Sequence, residues 1–264
     1  MTFGLLPKEK LMIDLKIVIP SRGRADRVLA KNAVVDPIIC VRASSADEYR
    51  EHNPEVEVVA HPDEVEDRSF TAKLQWILDH FGNVMYLDDD SEYMLRLYAP
   101  KGARAAAKMT AEEATAIVHS TYLAAQDIGA YYWGFNTQVN PLAFSGHVPI
   151  KVSGMCWGNG CGIRYADDGC KLFWEPTIRT NNDYWMALLN AHHHRYAYFD
   201  HRFVFLAKGT FNTPGGASAY RTEAVEKTAY EKLKMYFGER ITLKKDAPLA
   251  KRKHRYQPQI NLPF

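Results

Sequence analysis

Short apolar runs alternate with polar, helix-like segments along the first third of the chain. Leu15-Lys16-Ile17-Val18-Ile19-Pro20 is apolar and β-branched, the pattern of a buried strand, and it stops at the loop Pro20-Ser21-Arg22-Gly23-Arg24. Ala25 to Ala33 has helical character. Ile38 to Val41 and Val56 to Ala60 repeat the strand pattern, with a short polar helix expected over Ala46 to His52 between them. Ser69 is placed to cap a helix whose Phe70, Leu74, Ile77, Leu78 and Phe81 share one face, and Asn83 to Leu87 reads as a fourth strand. This alternation predicts an α/β fold with a mostly parallel twisted sheet flanked by helices and joined by right-handed crossovers.

The rhythm then changes. Thr110 to Ile128 is alanine-rich and helical, and Tyr131 to Phe135 is a short aromatic strand. The stretch MCWGNGCGIR (155–164) suggests two strand pieces around a turn. Asn182 to His193 reads as a helix, Tyr196 to Phe205 as a single strand, and Ala217 to Phe237 as a long helix. No repeat and no linker separates these parts. The expectation is one domain over residues 1–264, with a nucleotide-binding half (15–100), a mixed acceptor-side half (101–243) and a basic C-terminal arm (244–264).

With 47% hydrophobic and 24% charged residues, the chain has the make-up of a folded globular protein. No apolar stretch approaches the roughly 20 residues that cross a bilayer. The N-terminal MTFGLLPKEKLMIDLK is too short and too charged for a signal peptide, so a cytoplasmic location is expected. Cys40, Cys156, Cys161 and Cys170 fit neither a disulfide framework nor zinc-ribbon spacing, and read as free buried thiols. Net charge is only +2, but basic residues outnumber acidic ones after Arg221. Lys251, Arg252, Lys253 and Arg255 form the densest cluster, either a solvated tail or a contact for nucleic-acid phosphates.

The sharpest chemical signal is Tyr86-Leu87-Asp88-Asp89-Asp90-Ser91. Ligands of parallel α/β sheets bind at the carboxyl ends of strands, and three carboxylates follow such an end directly. Like charges this close raise one another's pKa unless a cation neutralises them. Oxygen-only donors favour Mg²⁺ or Mn²⁺, which take one or two protein carboxylates and complete their shell with water and substrate phosphates. In an extended chain Asp88 and Asp90 project to one side, suiting the metal, and Asp89 to the other, suiting a ribose. The alternative is an exposed acidic turn.

A strand ending in IPSRGR, followed by YLDDDS after the fourth strand, resembles the type A glycosyltransferase fold. The resemblance implies that the first loop grips a nucleotide and that an Asp-x-Asp motif holds a metal on the sugar-nucleotide diphosphate. TNNDYWMALL resembles the Glu-Asp-opened helix of many such enzymes, with Asn182 in place of Glu and Asp183 retained, and YAYFDHRFVF follows as in those families. The pattern covers residues 15 to about 215. It departs from the family where many members carry a third metal ligand, usually His: this chain has Leu206-Ala207-Lys208-Gly209 there, with His201 nearby inside the expected strand. A narrower resemblance, carried by PSRGRA, YLDDDS, the NND helix and TPGGAS, is to the phage-type glycosyltransferases found with TET-like oxygenases. It implies transfer from a nucleotide sugar, such as a UDP-sugar, to a hydroxymethylated pyrimidine in DNA, in the host cytoplasm for a phage-encoded enzyme.

Individual residues then take expected roles. Pro20, Ser21, Arg22 and Arg24 bind the donor, Arg being suited to grip a diphosphate in two-pronged fashion. Lys73 reaches the base or a phosphate, or is a solvated helix lysine. Asp88 and Asp89 contact the donor, and Asp88 and Asp90 the metal. Asp183 takes the acceptor hydroxyl's proton if configuration inverts, and otherwise steadies sugar or acceptor; a helix-capping Asp is the bland alternative. Trp157, Asn159, Asn182, Gly215 and Gly216 contact the acceptor, with a core Trp and a plain helix-entry turn as alternatives. His192-His193-His194 is not a zinc site, because successive helical residues diverge by about 100°. Competing readings are a glycan, lipid or protein acceptor, a sugar-nucleotide nucleotidyltransferase, and a DNA-binding module without catalysis.

Overall fold

The computed structural model describes residues 13–98, 107–207, 222–243, 256 and 258–262. Gly215, Gly216 and the arm residues Lys251, Arg252, Lys253 and Arg255 lie outside them. The strands in chain order are β1 (Lys16–Pro20), β2 (Ile38–Arg42), β3 (Glu57–His61), β4 (Asn83–Leu87), β5 (Ser91–Arg96), β6 (Ala107–Lys108), β7 (Tyr132–Phe135), β8 (Ile150–Lys151), β9 (Asn159–Arg164), β10 (Tyr198–Asp200), β11 (Phe203–Ala207), β12 (Ile241–Leu243) and β13 (Pro258–Ile260). The helices are α1 (Ala46–His52), α2 (Asp63–Arg68), α3 (Phe70–Phe81), α4 (Ala111–Asp127), α5 (Asn182–His193) and α6 (Glu223–Phe237).

The main sheet runs β3-β2-β1-β4-β9-β7-β10-β8. β3, β2, β1 and β4 are parallel neighbours, as are β7 and β10. β9 runs antiparallel between β4 and β7, and β8 antiparallel beside β10. This is the mostly parallel sheet with a mixed second half that the pattern predicts. Alternation sends Val18, Ile38 and Tyr86 to one face, against Leu74 and Ile77 of α3 and Trp185 and Met186 of α5. Ile19, Ile39 and Met85 face the other way, against Tyr49 of α1 and Val118 and Tyr122 of α4. Caps fix the helix starts: Ser69 Oγ accepts from the Ala72 N–H of α3, and Thr110 and Glu113 form a reciprocal capping box on α4.

Three expectations need correction. MCWGNGCGIR contributes one strand, β9, rather than two pieces around a turn. Its glycines serve close approach: a Cβ at Gly162 would stand 2.0 Å from the Trp133 ring. Tyr196 to Phe205 is not one strand. It breaks at a corner where Asp200 accepts hydrogen bonds from the Arg202 backbone (3.1 Å) and guanidinium (2.9 and 2.7 Å). β10 therefore stays in the main sheet, and β11 pairs with β5 in a small sheet of order β11-β5-β6. His201 sits in that corner, not inside a strand. Finally, Ala25 to Ala33 forms two 3-10 turns in place of a helix.

Candidate active site

The sheet's direction of connection reverses at β1: β2 lies on one side and β4 on the other. The carboxyl ends of β1 and β4 therefore adjoin, at the switch point where open α/β sheets bind ligands. The first loop leaves β1, and the acidic turn leaves β4.

Asp89 joins the two. Ser21 Oγ donates to its Oδ2 at 2.6 Å, and Arg24 Nη1 to its Oδ1 at 2.6 Å. The Asp89 carbonyl accepts the N–H groups of Leu29 (2.8 Å) and Ala30 (3.3 Å). Tyr49 supports the same loop: its hydroxyl donates to Ser21 Oγ (2.8 Å) and accepts from the Arg24 N–H (3.0 Å). Gly23, at φ +63°, makes the reversal that turns Arg24 inward while Arg22 stays exposed.

Lys73 lies beneath the loop, fully buried. Its Nζ donates to the Ser21 carbonyl at 2.6 Å and faces Glu66 Oε1 at 3.5 Å. Burial lowers its pKa, and the Glu66 charge opposes that shift. The structure therefore gives Lys73 the part of a brace, neither a solvated lysine nor a group open to a donor. Glu66 also faces Arg22 Nε and His61 Nε2, each at 3.7 Å; burial lowers the His61 pKa, so the cations this buried carboxylate balances are Lys73 and Arg22.

The acidic run is a tight turn rather than an extended strand end: the Ser91 N–H bonds back to the Asp88 carbonyl at 3.0 Å. The three carboxylates nonetheless separate. Asp89 is committed to the loop. Burial pushes Asp88 up to about 7, with the charges of Asp90, Asp89 and Asp183 adding to the rise and Arg24 opposing it. Burial, then Asp89, raises Asp90 as well, and its Oδ1 is buried without a hydrogen-bond partner among the described residues. Gly158 is the shelf against which Asp88 rests. Its carbonyl accepts the Asp88 N–H at 2.9 Å, and a Cβ there would stand 2.4 Å from Asp88 Oδ1.

Asp183 arrives from the other half of the chain. Asn181, left-handed at φ 57°, is the N-cap residue of α5, and its Nδ2 donates to Glu226 Oε2 of α6 at 2.9 Å. Asp183 is thus the second helical residue rather than the cap, and its charge is felt at both Asp88 and Cys161. Asn182, half-buried, opens the helix. Trp157 is 41% exposed beside Gly158, so it is not a core residue. Asn159 Nδ2 donates to the Phe205 carbonyl at 3.0 Å and fastens β9 to β11. His194 Nε2 accepts the Lys171 N–H at 3.1 Å, which gives that ring a structural partner. All four cysteines are free, and three of them are buried.

Sequence reading missed Tyr49 and Glu66. Tyr49 had a signal, as the lone aromatic on the polar helix ADEYREH. Glu66 lies on α2, which the pattern did not reveal.

A mostly parallel sheet, with a loop and an aspartate turn at its switch point and helices on its faces, defines a type A glycosyltransferase-like fold. The family model described as TET-Associated Glycosyltransferase matches residues 15–216, and the chain belongs to that family of glycosyltransferases. No curated protein matches it. Among the described residues no helix is long and apolar enough to cross a membrane.

Proposed function

We propose that the protein transfers a sugar from a nucleotide-sugar donor, a UDP-sugar, to the hydroxyl of a hydroxymethylated pyrimidine in DNA. The observation that carries this reading is the convergence of Asp183 with the Asp88–Asp90 turn at the sheet's switch point. Family membership favours this reading over a nucleotidyltransferase or a non-catalytic DNA-binding module.

On this reading the first loop receives the nucleotide. Arg24 is spent on Asp89, so exposed Arg22 is the guanidinium left to approach the diphosphate. Asp88 and Asp90 would hold Mg²⁺ or Mn²⁺. The fit rests on their chemistry: hard oxygens, mutual repulsion, and a buried Asp90 oxygen without a partner. Among the described residues no three His, Cys, Asp or Glu side chains form a metal site. Mg²⁺ and Mn²⁺ complete their shell with water and phosphate oxygens. Such an ion supplies charge neutralisation for the departing diphosphate. Asp183 takes the proton of the acceptor hydroxyl as that oxygen bonds to the anomeric carbon and the bond to the diphosphate breaks. Trp157 offers an exposed ring to a base or sugar.

The direct test is mass spectrometry of nucleosides from hydroxymethylated DNA incubated with the protein and a panel of nucleotide sugars. A hexosylated nucleoside is expected. Transfer only to a glycan, lipid or protein would replace the acceptor and keep the donor chemistry.

Gly158→Ala tests the carboxylate shelf. The added methyl displaces the end of a short side chain, so the fold should survive while Asp88 moves. Misplacing a catalytic group by about 1 Å can cost roughly 10²-fold. A comparable drop in turnover with an unchanged melting temperature is expected; wild-type turnover would show that Asp88's position does not matter.

A further inference from the structure

A second cleft lies farther along the same edge of the sheet. β4 and β7 both run antiparallel to β9, and β10 is parallel to β7. The carboxyl ends of β7 and β10 therefore stand on the same side as that of β4. Just beyond them, Asn136, Phe144, Ser145, Val148, Lys151 and His201 enclose a cavity of about 230 Å³. From β4 to β10 is three strand spacings, roughly 14 Å.

The lining is built rather than incidental. Asn136 Nδ2 donates to the His201 carbonyl (3.1 Å), and its Oδ1 accepts the Gln138 N–H (3.0 Å). Burial, with Lys151 nearby, lowers His201 to about 4, so its ring is a neutral donor and acceptor at physiological pH. The segment from Asn136 to Lys151 contains no carboxylate. Within it, Pro141–Ala143 forms a 3-10 turn whose entry is fixed by Asn140 Oδ1 accepting the Leu142 N–H at 3.0 Å. Leu142 is 83% exposed, the most exposed large hydrophobic side chain among the described residues, and lies two positions before Phe144. A capped turn that holds leucine in water contributes nothing to the core.

We propose that this cleft receives the acceptor pyrimidine after it swings out of the duplex, while Leu142 wedges into the stack it leaves. The inference rests on the DNA acceptor assigned above. The 5-substituent of a stacked pyrimidine lies in the major groove, and enzymes that work on a base commonly extrude it. A cavity smaller than the ~300–1,000 Å³ of drug-sized sites suits a single ring. Phe144 offers a stacking face, and Ser145 and neutral His201 offer hydrogen bonds to a base edge. The carboxylate-free rim and Lys151 suit flanking phosphates. Apolar wedges at base steps are the recurrent means of opening a stack.

The test compares one hydroxymethylated sequence as duplex and as single strand, at saturating donor. Leu142→Ala should lower duplex transfer at least about tenfold while single-strand transfer stays within about twofold, because only the duplex must be opened. 2-Aminopurine beside the target should brighten with the wild type and not with this variant. Ser145→Trp, which fills the mouth, should lose transfer to both forms while the donor still raises the melting temperature. Wild-type duplex rates in Leu142→Ala, or full activity in Ser145→Trp, would overturn the proposal. Wild-type transfer to single strands alone would overturn the wedge and leave the acceptor class standing. If the wild type modifies neither form, the DNA acceptor itself fails and the proposal falls with it.

Discussion

Sugar transfer should stop when divalent cations are chelated, and Asp90→Ala should stop it even with metal in excess, while the variant remains folded. This is the largest effect expected of the site. Asp90 Oδ1 is buried with no hydrogen-bond partner among the described residues, and the hydrogen bond that its carboxyl accepts comes from its own backbone N–H, so its removal leaves no other side chain stranded. It also relieves Asp88 of one of the like charges that push its carboxyl up to about 7. The melting temperature of Asp90→Ala should therefore equal or exceed that of the wild type. Ligands that bind only the native state raise its stability, so Mn²⁺ with a UDP-sugar should raise the wild-type midpoint and lose that effect in the variant. Full turnover by Asp90→Ala in chelator would take the ion out of the scheme.

Asp183→Asn should lower kcat by roughly 10²–10⁴-fold, the range attributed to positioned general acid–base groups, with donor affinity preserved. The exchange keeps size and shape. Asn181 holds the N-cap position and the bond to Glu226, so the start of α5 keeps its anchor. The asymmetry between kcat and donor binding separates proton transfer from simple positioning of the donor, which would shift both. Unchanged turnover would leave Asp183 as a residue that favours the helix N-terminus and nothing more.

Much of the first part of the chain, residues 15–98, was legible because its strands are largely buried and its helices carry one-sided apolar stripes. Ser69, Asn83–Leu87 and Asn182–His193 fall where the pattern puts them. The second part of the chain was harder to read for two physical reasons. Glycine in β9 makes room for Trp133 and for neighbouring backbone, and in sequence that looks the same as glycine in a turn. The corner at Asp200–Arg202 depends on a side chain bonding its own local backbone, which leaves hydrophobic periodicity almost untouched. At the site, pattern alone marked the three aspartates and set Asp89 apart from its neighbours, but expected a ribose rather than the first loop on Asp89's side of that division. That division depends on Ser21 and Arg24, more than sixty residues away in the chain. Lys73 illustrates the same limit: a lysine on a helix reads as solvated, and only the fold places a carbonyl and a carboxylate around it.

Asp89's bonds to the first loop also set how the DDD run responds to mutation. Replacing Asp89 strands the Arg24 guanidinium and the Ser21 hydroxyl in a buried setting, a loss the folded state feels directly. Replacing Asp88 or Asp90 with a neutral residue relaxes repulsion, and on the proposed metal role should cost turnover alone. Under selection for abundance alone, the middle position is held while its two neighbours drift; under selection for activity, all three are held. On the proposed metal role, the flanking aspartates are residues that catalysis keeps at the expense of stability, and a variant library sorted on expression would discard the active sequence first.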